Sequence, residues 1–83
     1  MKKILYFSAQ WCGPCKQFTP TINQLQSEGV NIQKIDVDKD STLSTQYSVR
    51  NIPTLVLIDS NGTELNRRVG LGTPTDILNF YNN

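Results

Sequence analysis

Apolar residues fall along this 83-residue chain in short bursts separated by turn-forming residues, and the period within each burst indicates what it forms. Ile4-Leu5-Tyr6-Phe7, closing on Ser8, is an apolar and aromatic run of strand length. Gly13-Pro14 interrupts the pattern. Phe18, Ile22 and Leu25 then recur at spacings of four and three, giving one apolar face to a helix expected from about Cys15 to Glu28 and stopped by Gly29. Pro20 lies inside it, lacks an N–H, and is expected to bend or loosen it. A second strand is expected over about Asn31 to Asp36, with Ile32 and Lys34 on one face and Gln33 and Ile35 on the other. The polar cluster Asp38-Lys39-Asp40-Ser41 leads into a short helix near Thr42 to Tyr47, whose core contacts are Leu43 and Tyr47. After Ile52-Pro53 comes Thr54-Leu55-Val56-Leu57-Ile58, a continuous apolar run suited to a central strand covered on both faces. Asp59-Ser60-Asn61-Gly62 is a hairpin signal, so a strand from about Thr63 to Val69 should return antiparallel. Gly70 and Gly72 mark a loop. Thr73 then reads as an N-cap, with Pro74 at the first helical position and Asp76 in the first turn, ahead of the apolar Ile77, Leu78, Phe80 and Tyr81.

The resulting order is β-α-β-α-β-β-α in a single domain over residues 1–83, an α/β fold with helices on both faces of one sheet. Helical crossovers are expected to join the first strands in parallel, and the hairpin to add an antiparallel edge. Composition then removes whole classes of function. Eight Lys plus Arg against seven Asp plus Glu leave a net charge of +1, without the clustered basic excess that tracks a phosphate backbone. Asn, Gln, Ser and Thr total 28 residues, so the surface is polar through neutral groups. The chain has no His, which excludes imidazole metal sites, Cys-His dyads and Ser-His-Asp triads within one chain. Two Cys are too few for a disulfide-rich scaffold or a four-thiolate zinc site. The N-terminal apolar stretch is shorter than the roughly 7–15 residues of a secretory signal, and no run approaches the ~20 residues of a membrane span. The expectation is a cytoplasmic protein that engages neither membrane nor nucleic acid.

The chemistry is concentrated in Trp11-Cys12-Gly13-Pro14-Cys15, where the first strand ends and the first helix begins. A helix N-terminus presents unpaired N–H groups and roughly half a positive charge, which favours thiolate over thiol. Cys12, at the tip, is expected to be the exposed nucleophile; Cys15, one turn further in, is expected to be covered and to act second. A disulfide closing so small a loop adds little stability by chain entropy, which argues for a redox role. Gly13 permits tight turning beside the sulfurs, and Pro14 pre-sets φ at the helix entrance. A bare Cys-X-X-Cys would leave open a zinc half-site completed by a second chain, or an inert buried pair.

The full run Trp11-Cys12-Gly13-Pro14-Cys15-Lys16 resembles the thioredoxin active-site signature residue for residue. Pro20, Ile52-Pro53-Thr54, Asn61-Gly62 and Val69-Gly70 match that family at corresponding intervals, so the resemblance spans about residues 3 to 83. It implies a minimal thioredoxin fold with a four-stranded mixed sheet and three helices, and a protein-disulfide reductase working through a reversible Cys12–Cys15 disulfide. Cys12 would attack, Cys15 would resolve the mixed disulfide, and no separate cofactor would be bound. The resemblance further implies a cis Ile52–Pro53 bond beside the sulfurs, with the Ile52 backbone pairing to an extended substrate. It implies a substrate rim of Trp11, Gly70 and Leu71. Implied partners are disulfide-containing proteins and an NADPH-dependent flavoprotein reductase, with the protein itself a monomer. A glutathione-dependent, glutaredoxin-like enzyme is the nearest alternative, although glutaredoxins usually carry Tyr between the cysteines. A docking subunit using the surface around Trp11, Ile52 and Leu71 is another.

The chain departs from the family pattern in two ways. Thioredoxins carry an additional strand and helix before the strand that delivers the active site, so four strands are expected here, with Lys2 and Lys3 discouraging pairing at the exposed flank. Thioredoxins also place a buried Asp six residues before the first cysteine, where this chain has Tyr6. A phenol of pKa near 10 is a poor base at neutral pH, so the Cys15 proton is expected to leave by way of water. Lys34 matches a family lysine that could favour a thiolate if it reaches the site, and reads equally as a solvated strand lysine.

Overall fold

A computed structural model describes residues 1–82. It contains β1 (Lys3–Ser8), α1 (Gly13–Ser27), β2 (Ile32–Asp36), α2 (Ser41–Gln46), β3 (Thr54–Ile58), β4 (Glu64–Val69) and α3 (Pro74–Asn82). The four strands form one sheet in the order β2-β1-β3-β4. β1 and β2 run parallel, with Tyr6 beside Lys34 and Ser8 beside Asp36. β3 runs antiparallel to β1, with Tyr6 beside Leu55, and β4 antiparallel to β3, with Thr54 beside Val69.

The antiparallel β1–β3 pairing corrects the expectation that the helical crossovers join all the early strands in parallel. The reason lies in α2, which has six residues and a length of about 9 Å. The segment after it turns back at Ser48, which has a positive φ of 53°, and Val49 N–H closes the helix end on the Ser44 carbonyl at 2.8 Å. The chain therefore re-enters the sheet at Thr54 from the end at which β2 left it.

Alternation along the strands splits the core in two. Ile4, Tyr6, Ile32, Leu55 and Leu57 pack with Phe18, Ile22 and Leu25 of α1 and with Ile77 and Phe80 of α3. On the other face Leu5, Phe7, Ile35, Val56 and Ile58 pack with Tyr47, and Leu43 of α2 lies against them. All five residues of β3 are buried, as its unbroken apolar run requires. The exposed flank belongs to β2, an edge strand, and Lys3 lies on the interior strand β1. The charges on that edge are Lys34 and Asp36, while Lys3 Nζ donates to Gln33 Oε1 at 3.1 Å; these replace the edge role expected of Lys2 and Lys3.

This topology gathers one set of segment ends at one pole of the sheet. The ends of β1, β2 and β4, the start of β3, and the N-termini of α1 and α3 all lie there.

Candidate active site

β1 carries the chain to this pole, and a turn closed by Cys12 N–H on the Ala9 carbonyl at 3.2 Å sets up the start of α1. Cys12 is the N-cap, with extended backbone, and Pro14 occupies the first turn where its missing N–H costs nothing. The Cys12 Sγ accepts the Cys15 backbone N–H at 3.1 Å, using one of the orphan donors of the helix start. The two sulfurs are joined in a disulfide, with the Cα atoms 5.2 Å apart, an ordinary span for such a bond. When the disulfide opens, the same N–H and the helix dipole stabilise negative charge on Cys12.

Exposure corrects one expectation. In this oxidised form Cys12 is 5% exposed, scarcely more than Cys15 at 2%. Both sulfurs pack in a small apolar cluster with Ala9, against which Val37 and Ile52 lie. Attack on the disulfide therefore comes across a surface framed by neighbouring side chains.

Of these neighbours the sequence names only Ile52; Ala9 and Val37 are additions. Trp11 is 68% exposed beside Cys12, and its Nε1 donates to Asp38 Oδ2 at 2.7 Å. Asp38, read from sequence as part of a polar cluster leading into α2, thus orients the exposed indole. The Ile52–Pro53 peptide is cis. Gly70, with φ of 95°, donates its N–H to the Pro53 carbonyl at 2.9 Å and so ties the end of β4 to that peptide. Leu71 follows, 48% exposed, its carbonyl accepting from Arg68 Nη2 at 3.2 Å. Lys34 lies apart, exposed on β2, with its Nζ donating to Asn23 Oδ1 of α1 at 2.6 Å.

Beneath the inner cysteine lies Tyr6, fully buried. Its hydroxyl donates to the Cys15 carbonyl at 3.2 Å and lies 3.1 Å from Thr19 Oγ1. Thr19 in turn donates to the same carbonyl at 2.8 Å. Burial pushes the Tyr6 phenol above its usual value, with the Thr19 and Ser8 hydroxyls pulling more weakly the other way. Tyr6 therefore braces α1 under Cys15 as a neutral donor. A groove of about 420 Å³ opens beside Cys15, between Ser8, Ala9 and Gln10 at the end of β1, Lys16, Thr19 and Pro20 on α1, and Asp36 at the end of β2. Sequence reasoning did not find this groove. The small side chains of Ser8 and Ala9 were its only linear signal.

The thioredoxin family model matches residues 1–83. The chain is 46% identical over 70 residues to thioredoxin of Chlamydia trachomatis serovar D, covering 82% of this chain and 68% of that protein. It is 42% identical over 82 residues to thioredoxin of Haemophilus influenzae, covering 95% and 76%. Among solved structures, Fasciola hepatica thioredoxin superposes with a TM-score of 0.86 at 34% identity, covering 96% of this chain and 77% of that one. A mutant thioredoxin from Halobacterium salinarum gives 0.85 at 33%, covering 96% and 71%. Fold, cysteine pair and sequence agree throughout, and the chain belongs to the thioredoxin family.

Proposed function

We propose that this thiol–disulfide oxidoreductase is a general reductant of protein disulfides, returned to its dithiol form by an NADPH-dependent flavoprotein reductase and working as a monomer in the cytoplasm. The observation that carries this reading is the Cys12–Cys15 disulfide at the N-terminus of α1. The Cys12 thiolate attacks one sulfur of a substrate disulfide; that S–S bond breaks, a substrate thiolate leaves, and a mixed disulfide forms. The Cys15 thiolate then attacks the Cys12 sulfur, releasing the second substrate thiolate and restoring the internal disulfide. Two electrons pass to the substrate, and its two thiolates take up two protons. The exposed Trp11 and Leu71, with the Ile52 backbone at the cis peptide, offer an apolar rim and a pairing edge for an extended substrate segment. The net charge of +1 suits a reductant that meets many partners. Among the described residues no helix is long and apolar enough to cross a membrane.

The test is dithiothreitol-driven reduction of a protein disulfide by the natural chain, Cys12→Ser and Cys15→Ser. Turnover is expected from the natural chain alone, with Cys15→Ser accumulating a mixed disulfide on Cys12. A folded natural chain without turnover would discard the reductase reading in favour of docking.

A further inference from the structure

The resolving step requires Cys15 to lose a proton, because the thiolate is the attacking species. Cys15 is 2% exposed, so water reaches it by way of the groove it lines. The groups around it are mostly unable to help. The Tyr6 hydroxyl and Thr19 Oγ1 both donate to the Cys15 carbonyl, and burial raises the phenol further from any role as a base. Lys16, in the groove wall, is a cation with no acceptor.

We infer that Asp36 is the proton acceptor for Cys15, acting through water held in the groove they both line. Among the described residues Asp36 is the one carboxylate in that lining. β1–β2 register sets it beside Ser8, whose small side chain leaves the space between β2 and α1 open. Its Oδ1 accepts the Asp38 N–H at 2.9 Å, which fixes the carboxylate and leaves the second oxygen for the groove. The groove, at about 420 Å³, far exceeds the roughly 30 Å³ that one water occupies. Polar partners for such a water are at hand. Pro20 has no N–H, so the Lys16 carbonyl is denied its helical donor, and the Ser8 and Thr19 hydroxyls stand nearby. The charged and titratable groups facing Asp36 are Lys16 across the groove on α1, Lys34 two residues earlier on the same face of β2 and held by Asn23, and buried Tyr6 on β1. Asp38, Lys39 and Asp40 face it from the turn after β2, and their backbone N–H groups bond to Asp36. Asp38 in turn accepts from Trp11.

The step balances simply. The Cys15 S–H bond breaks, its proton passes to water, and that water gives a proton to Asp36. The Cys15 thiolate attacks the Cys12 sulfur, and the departing thiolate or solvent takes the proton back from Asp36. Asp36 touches the reaction only through water, so its signature is a pH profile.

This inference rests on the Cys12–Cys15 exchange proposed above. The experiment mixes reduced protein with 5,5′-dithiobis(2-nitrobenzoate) from roughly pH 5 to 9 and follows two phases of thionitrobenzoate release, attack by Cys12 and then resolution by Cys15. In Asp36→Asn the first phase should be unchanged and the second slowed about tenfold near pH 7. Its second phase should rise about tenfold for each pH unit until the thiol titrates, while the natural chain keeps a flatter profile at low pH. Asp36→Glu should recover part of the flat profile. Asp36→Asn resolving at the natural rate, or slowed with an unchanged pH slope, would overturn the inference. A natural chain with both phases but no reduction of protein disulfides would remove the proposed function and leave this inference standing. A natural chain with no second phase would remove both.

Discussion

The Tyr6 phenol lies between the sheet and α1, edge-on to Phe18 with ring centroids 5.8 Å apart and its hydroxyl on the Cys15 carbonyl. A buried phenol whose pKa is raised by desolvation couples folding to alkaline pH with a definite sign. Below about pH 10 it is protonated in both folded and unfolded chains, and its contribution to stability is intact. Above that the unfolded chain ionises first, so the contribution is lost as pH rises through the raised folded value. Tyr6→Phe should cost about 0.5–1.5 kcal/mol near neutrality, toward the lower end because Thr19 still serves the carbonyl. Urea titrations at neutral pH and above pH 10 should show the gap between the natural chain and Tyr6→Phe narrowing at high pH. At this scale the sequence was informative about identity and silent about contact. That Tyr6 is a poor base follows from its chemistry, but its bond to Thr19 depends on how α1 is rotated over the sheet. The covering of Cys12 by Ile52 and Val37 likewise depends on loops brought in from distant segments.

Secondary-structure elements were the most legible level, because each carries its own period and punctuation. Phe18, Ile22 and Leu25 are buried on one face of α1, and β3 is buried throughout. The start of α3 forms as its residues imply: Thr73 N–H donates to Asp76 Oδ2 at 3.0 Å, and Asp76 N–H to Thr73 Oγ1 at 3.1 Å. This reciprocal cap leads to a measurable cost: Thr73→Ala should lower stability by about 1 kcal/mol in chemical denaturation. The backbone bond from Thr73, then that from its side chain, holds the Asp76 carboxyl below its usual range. Its contribution is present above the ordinary carboxylate pKa and is lost as pH falls through the depressed folded value. The deficit of Asp76→Ala, not that of Thr73→Ala, should therefore shrink on acidification, because the main donor is the Thr73 backbone N–H. The direction of β3 was not legible. A crossover helix ordinarily returns the chain for a parallel strand, and only the shortness of α2 and the turn at Ser48 reverse that outcome.

At the scale of the molecule, two apolar layers share one four-stranded sheet, and the layer under α1 and α3 also supports the active site. Phe18 belongs to it at 2% exposure. Phe18→Ala should cost about 3–5 kcal/mol, a large share of the roughly 5–15 kcal/mol typical of a domain, and should shift the denaturant midpoint accordingly. Reduction of Cys12–Cys15, which closes a loop with a sequence separation of 3, should leave the fold intact by circular dichroism, since so short a crosslink constrains the unfolded chain little. The whole-molecule arrangement also separates the chain ends from the chemistry. β1 starts at the pole opposite the sulfurs, and α3 runs back toward that pole over nine residues, about 13 Å. There Lys2 Nζ sits 5.2 Å from the centre of the Tyr81 ring, so the two ends of the described chain meet far from Cys12. A fusion partner, a surface anchor or an electrode linker attached at either end leaves the dithiol facing outward, which makes this domain a portable reducing head for larger assemblies.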